Sequence, residues 1–225
     1  MKKISIAIDG PSGAGKSTVA KALAEEFNIM HLDTGALFRA LAYTALKLNL
    51  NPKDEKSIAC LLNQVDMRIV FEDKEQKVLI NDEDVTPYLR SEEVSIAASD
   101  ISVHPNLRNY VLEKERELSE QESFVLDGRD IGTVVLPDAD VKIFLTASAR
   151  DRARRRLKDL RKVNPDIDLK QVLKDIEQRD AQDKNRSIAP TKQAEDAVFI
   201  DSSDLSLEET ILHIKEIILG ILCNE

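Results

Sequence analysis

Cysteine is scarce in this sequence. Only Cys60 and Cys223 are present, without metal-type spacing, so a disulfide framework is excluded and a reducing compartment fits. No window holds about 18 uninterrupted apolar residues, so no membrane-spanning segment is expected. The opening "MKKISIAIDG" has neither the long apolar region nor the small-residue cleavage site of a secretory signal, and a cytoplasmic location is expected. A broadly basic surface is missing as well. The formal net charge of −9 excludes a general nucleic-acid coat, and no nucleic-acid partner is expected. Repeats and low-complexity tracts are absent. Glycine is rare too, at seven of 225 residues, and three of the seven crowd into residues 10–15.

What is present is ordinary globular composition, 42% hydrophobic and 32% charged, in a length that suits one large domain or one domain with an insertion. Short apolar runs at 4–8, 29–32, 124–126, 141–145 and 197–200 read as buried parallel strands. Helical spacing fills 16–27, 36–49, 105–118, 148–162 and 168–184. Strands alternating with helices predict an α/β fold, a parallel sheet covered on both faces. Residues 66–73 and 77–85 break the alternation with period-two patterning, Met67, Ile69 and Phe71 matching Val78 and Ile80. The three residues between them, Lys74 to Gln76, suit a hairpin loop. The stretch 205–222 reads as a helix whose broad apolar stripe docks on the core.

The glycine cluster sits in "DGPSGAGKST". Gly10, then Gly15-Lys16-Ser17, matches the phosphate-loop spacing, and it follows a strand and opens a helix, as that reading requires. Glycines let backbone N–H groups turn toward anionic oxygens, and the helix adds its positive end. Lys16 brings a mobile charge for β and γ phosphates, and Ser17 or Thr18 brings a hydroxyl for Mg²⁺. Gly10, Pro11, Ser12, Gly13, Ala14, Gly15, Lys16, Ser17 and Thr18 are therefore expected to hold a nucleoside triphosphate.

Three other stretches suit an acceptor. "LDTGALFR" (32–39) follows the second strand, with Thr34 able to cap the next helix and Arg39 one turn into it; a capped helix with a surface arginine is the plainer alternative. "DGRDIGTVVLP" (127–137) follows the third strand, at the sheet edge where α/β proteins bind ligands. Arg129 suits a phosphate, and Asp130 suits a sugar hydroxyl or a base amino group. In "RDAQDKNR" (179–186), Arg179, Asp183 and Arg186 share one helical face, as site residues or as an ion-pair ladder. Upstream, residues 150–162 hold six arginines and two lysines against two aspartates. A solvated face or an RNA patch is possible there; a lid that neutralises phosphate charge and excludes water explains it better.

Together these motifs, with "IAASDISVHPNLR", "PDADVKIFLTAS" and "RDAQDKNRSIAP", resemble the bacterial-type cytidylate kinases among the nucleoside monophosphate kinases, over nearly the whole chain. The resemblance implies a five-stranded parallel sheet with a small antiparallel insertion in the monophosphate-binding region and an Arg-rich lid. In one chain, the core would take 1–34, 105–147 and 187–225, the monophosphate region 35–104, and the lid with its flanking helices 148–186. It implies that residues 10–18 bind ATP, that Thr34 (commonly Ser in the family), Arg39, Arg129 and Arg186 surround the CMP phosphate, and that Ser99, Arg108 and Asp130 read cytosine. Arg179 and Asp183 would meet the ribose, Arg152, Arg155 and Arg156 would serve the lid, and Asp33 would sit near Mg²⁺ through water. The expected activity is γ-phosphoryl transfer from ATP to CMP or dCMP, with Lys16, Arg129 and Arg186 catalytic and the chain a monomer. A GTPase switch would need Asp-x-x-Gly and Asn-Lys-x-Asp motifs, and the sequence has neither. A kinase for shikimate or another monophosphate is the nearest competitor.

Overall fold

The computed structural model describes residues 3–161 and 165–223. Along the chain run β1 (Ser5–Asp9), α1 (Lys16–Phe27), β2 (Met30–Asp33), α2 (Thr34–Lys47) and α3 (Glu55–Leu62). Three strands follow, β3 (Met67–Glu72), β4 (Glu75–Ile80) and β5 (Glu83–Asp84), then α4 (Glu92–Ile101) and α5 (Pro105–Ser119). The rest comprises β6 (Phe124–Gly128), a π-helical turn over Ile131–Val135, β7 (Val141–Thr146), α6 (Ala149–Leu160), α7 (Leu169–Asn185), β8 (Val198–Asp201) and α8 (Leu207–Leu222). Five strands form the expected parallel sheet in the order β2-β6-β1-β7-β8, and β3-β4-β5 form the antiparallel insertion. No described helix is long and apolar enough to cross a membrane.

The chain divides into two compact units, Met1–Ile29 with Ser123–Glu225, and Met30–Glu122. In the first, Ile6, Ile8, Val125, Ile143 and Leu145 of the sheet pack with Val19 and Leu23 of α1 and Ile214 and Ile218 of α8. The C-terminal helix is thus a core helix, as its stripe implies, and it opens on a capping box between Ser206 and Glu209. Each fully buried aliphatic side chain contributes roughly 1.5–3 kcal/mol. A smaller cluster, Ala153, Leu157, Val172 and Ile176, joins α6 to α7. The second unit has its own core, in which Leu37 and Leu41 of α2, Met67, Val78 and Ile101 are buried.

Several boundaries differ from the sequence reading. The first hairpin turn is Asp73-Lys74, not 74–76, and the second predicted strand is cut in two at Asn81-Asp82. All four turn residues take positive φ, at 49°, 66°, 50° and 67°, as two-residue turns between twisted strands require. The helices α3 and α4 were not foreseen; they are short, at 8 and 10 residues, and are capped by Asp54 and Ser91. Arg186 lies just past α7 with an extended backbone, so it does not share the helical face of Arg179 and Asp183. The cap of α2 is Asp33, with Thr34 as the first helical residue.

Candidate active site

The glycine loop is shaped by its neighbours. Gly10 has φ 147°, and a Cβ there would meet the Leu145 carbonyl oxygen at 1.9 Å; Gly13 and Gly15 also have positive φ, at 76° and 93°. Gly15 forms the left-handed cap of α1. Lys16 is the first residue of that helix and is buried, and its Nζ donates to the Pro11 carbonyl at 2.9 Å. Burial, reinforced by the Arg129 guanidinium, pushes the Lys16 ammonium down to about 7 against the pull of Asp127 and Asp9. Of the two hydroxyls left open by the sequence, Ser17 is the one that engages a carboxylate, donating to Asp127 Oδ2 at 2.8 Å. Asp127 was missed in the sequence reading, although it directly follows the third predicted strand and opens the stretch that carries Arg129.

Two expected lid arginines brace the loop from behind. Arg152 is buried; its Nε donates to the Ala147 carbonyl (2.8 Å), and its Nη1 reaches the Ser12 carbonyl (2.9 Å) and Asp180 (2.6 Å). Arg155 donates to the Ala14 carbonyl (3.2 Å) and to the Ser202 carbonyl (2.7 Å). Holding carbonyls on one side of a peptide loop turns the paired N–H groups to the other. Arg156 lies on α6, half-buried.

In the same unit, β6 delivers Arg129 and Asp130. Arg129 Nε donates to Asp183 Oδ2 at 3.1 Å, and Arg186 Nη2 donates to Asp130 Oδ1 at 3.3 Å. Arg186 also stands 4.0 Å from Asp183 and donates from Nε to the Ala189 carbonyl at 2.6 Å. Burial alone would raise the Asp183 carboxyl, but the guanidiniums of Arg129, Arg179 and Arg186 outweigh it and hold it below its ordinary range. The structure thus gathers Arg129, Asp130, Arg179, Asp183 and Arg186 into one charged cluster.

The other expected residues belong to the second unit. Asp33 Oδ1 accepts from the Ala36 amide at 3.0 Å, and its Oδ2 accepts from Arg39 Nη2 at 2.6 Å. Arg39 Nε is buried and makes no hydrogen bond among the described residues. Gly35 leaves room for this pair, since a Cβ there would lie 2.9 Å from Arg39 Nη1. Thr34 and Ser99 are buried. Arg108 is buried too, donates to the Ser102 carbonyl at 3.3 Å and lies over the Phe38 ring, 5.4 Å from its centroid.

A strand, a glycine loop and a helix that begins at lysine, beside a hydroxyl–carboxylate pair, define a nucleotide-binding protein of the phosphate-loop class. The family model described as cytidylate kinase matches residues 6–219. The chain is 46% identical over 225 residues to the cytidylate kinase of Caldicellulosiruptor bescii, covering all of both. It is 46% identical over 209 residues to that of Halalkalibacterium halodurans, covering 93% of this chain and 94% of the other. The figure for Bacillus subtilis cytidylate kinase is 43% over 208 residues, covering 92% and 93%. The chain belongs to the cytidylate kinase family and is a phosphotransferase.

Proposed function

We propose that the chain transfers the γ-phosphoryl group of ATP to CMP or dCMP, giving ADP and CDP or dCDP. The observation that carries this is the first unit's pairing of a lysine-bearing phosphate loop with the Arg129–Asp130–Arg179–Asp183–Arg186 cluster, in a chain of this family.

An acceptor phosphate oxygen is a nucleophile at neutral pH, so the residues have little covalent chemistry to do. Alignment and charge neutralisation carry the rate. The loop amides and Lys16 hold the triphosphate, whose negative charge restores the ammonium form of a lysine lowered to about 7. Arg129 and Arg186 neutralise charge on the transferring and acceptor oxygens, with Asp183 keeping both guanidiniums in position. Thr34 and Arg39 serve the acceptor phosphate, and the unengaged Arg39 Nε is a donor suited to it. Ser99, Arg108 and Asp130 read the base, and Arg179 and Asp183 meet the ribose.

A divalent cation accompanies the nucleotide in such transfers and offsets charge on its phosphates. The Ser17 hydroxyl and Asp127 carboxylate, 2.8 Å apart, are hard oxygen donors that fit Mg²⁺, an ion that takes one or two protein oxygens and keeps waters and phosphates. These two would hold it. Asp33 is engaged by Ala36 and Arg39.

The test is ADP release with CMP, dCMP, UMP, AMP, GMP and shikimate as acceptors. Cytosine offers an amino donor where uracil has a carbonyl, and an ionised Asp130 only accepts, so UMP forces two acceptors together. CMP and dCMP should be good substrates and UMP poor, by on the order of a hundredfold or more in kcat/KM. Asp130→Ala should lose CMP turnover far more than ATP binding. Equal use of UMP and CMP by the wild type would remove the base assignment and leave the kinase standing.

A further inference from the structure

A helical turn is usually capped by the side chain of the residue that opens it, and aspartate is among the best caps. The π turn over Ile131–Val135 is opened by Asp130, yet Asp130 makes no cap bond to it. The cap comes from another strand. Asp9, the last residue of β1 and buried, accepts the Ile131 amide at Oδ1 and the Gly132 amide at Oδ2, each at 2.7 Å. The Asp130 carboxylate is turned to Arg186 instead.

From this we infer that Asp9 is a positioning residue for the acceptor side: it caps the 131–135 turn in place of Asp130, so that Arg129 and Asp130 are held for the acceptor nucleotide. The inference rests on the reading that those two residues contact the acceptor. Two adjacent amide donors call for two acceptor atoms. A carboxylate offers both, whereas an asparagine offers one and turns its NH₂ against the other donor. Burial pushes the Asp9 carboxyl up to about 6, while the Gly132 and Ile131 amides oppose that rise most and Lys16 less. Gly132, the second donor, meets the Lys142 stem more closely than the carboxylate. A Cβ there would lie 3.4 Å from Asp9 Oδ2 and 3.2 Å from Lys142 Cδ.

The larger effect falls on the acceptor because the glycine loop has supports besides Asp9, whose charge adds only in part to the field on Lys16. Arg152 holds the Ser12 carbonyl, Arg155 the Ala14 carbonyl and Lys16 the Pro11 carbonyl. Among the described hydrogen bonds, the Ile131 and Gly132 amides donate to Asp9 alone.

The experiment measures kcat and the separate KM values for CMP and ATP in wild type, Asp9→Asn and Asp9→Glu, with circular dichroism and melting curves for each. Asp9→Asn should raise the CMP KM about tenfold or more and change the ATP KM less than about threefold, the size expected for losing one charge-assisted bond and gaining a donor clash. Asp9→Glu, which keeps the charge but moves the carboxylate by one methylene from the two amides, should shift the CMP KM in the same direction by a smaller factor. A role confined to stability would lower the melting point and leave the two KM values in their wild-type ratio, and that result overturns the inference. If Asp9→Asn fails to fold, Asp9→Glu decides, and an unchanged CMP KM there overturns it equally. A wild type that does not phosphorylate CMP fails the functional reading itself. Loss of CMP turnover in Asp130→Ala, together with an unmoved KM ratio in the Asp9 variant, fails only the positioning role.

Discussion

Lys16 shows what a buried ammonium costs its fold. An ammonium buried at the head of a helix, near the Arg129 charge, has its proton held down to about 7. The unfolded chain keeps that proton up to about 10.4. Between those values the unfolded state binds more protons, so stability rises with pH and is lost as pH falls from about 10 through about 7. Replacing Lys16 with methionine, which fills similar space without charge, should therefore raise the melting temperature of the ligand-free protein. The gain should be largest at or below pH 7 and should fade toward pH 10. The same variant should lose on the order of a hundredfold or more in phosphoryl transfer. A melting point that does not rise would mean that water or another charge compensates the lysine. Near-normal turnover would remove the residue from the mechanism. The residue types around it were legible in the sequence because the loop chemistry demands glycines, a lysine and a hydroxyl at fixed spacing. Their partners were not. Ser17 meets a carboxylate 110 positions away, Ile131 meets one 122 away, and Arg152 meets a loop carbonyl 140 away, and no periodicity encodes such pairs.

At the scale of elements, the parallel strands were legible to within about two residues, because a strand buried on both faces writes itself as an unbroken apolar run. The insertion was legible as antiparallel but its turns were displaced. Glu75 and Gln76 are polar, yet they pair with Glu72 and Phe71 as strand residues, and only the backbone shows that the chain reverses at Asp73-Lys74. α3 and α4 escaped because two or three turns carry too few apolar positions to establish a period. The displaced turn gives a prediction. Lys74 is exposed and holds φ 66°, a conformation that costs a non-glycine residue about 1 kcal/mol. Lys74→Gly should stabilise the protein by about 0.5 kcal/mol, glycine's greater freedom in the unfolded chain offsetting part of the gain. Lys74→Ala should give no such gain. Denaturant titration of both variants against wild type checks this, and a midpoint for Lys74→Gly at or below that of the alanine variant would refute the turn assignment.

At the scale of the molecule, two apolar clusters of unequal size stand out among the described residues of the first unit. The sheet, α1 and α8 share a large one, whereas α6 and α7 are joined by Ala153, Leu157, Val172 and Ile176 with a few half-buried neighbours. An element that buries little apolar surface opens at lower free energy than the core. The links from the α6–α7 pair to the phosphate loop are polar, through Arg152 to the Ser12 carbonyl and Arg155 to the Ala14 carbonyl. A nucleotide that orders the loop orders the acceptors of those bonds, so binding should stabilise the helical pair through them. In ligand-free protein, amide hydrogen exchange should therefore be faster across 149–160 and 169–185 than across β1, β6 and β7. Addition of ATP with CMP under non-turnover conditions, with the metal withheld, should slow the helices by about tenfold or more while the strands change little. Arg152→Ala should raise exchange in α6 and α7 and reduce the slowing. Exchange as slow in the free helices as in the strands would show that α6 and α7 belong to the rigid core. Slowing by nucleotide that survives Arg152→Ala in full would mean that the arginine is not the link between loop and helices, and would leave direct contact with the nucleotide as the source of the protection.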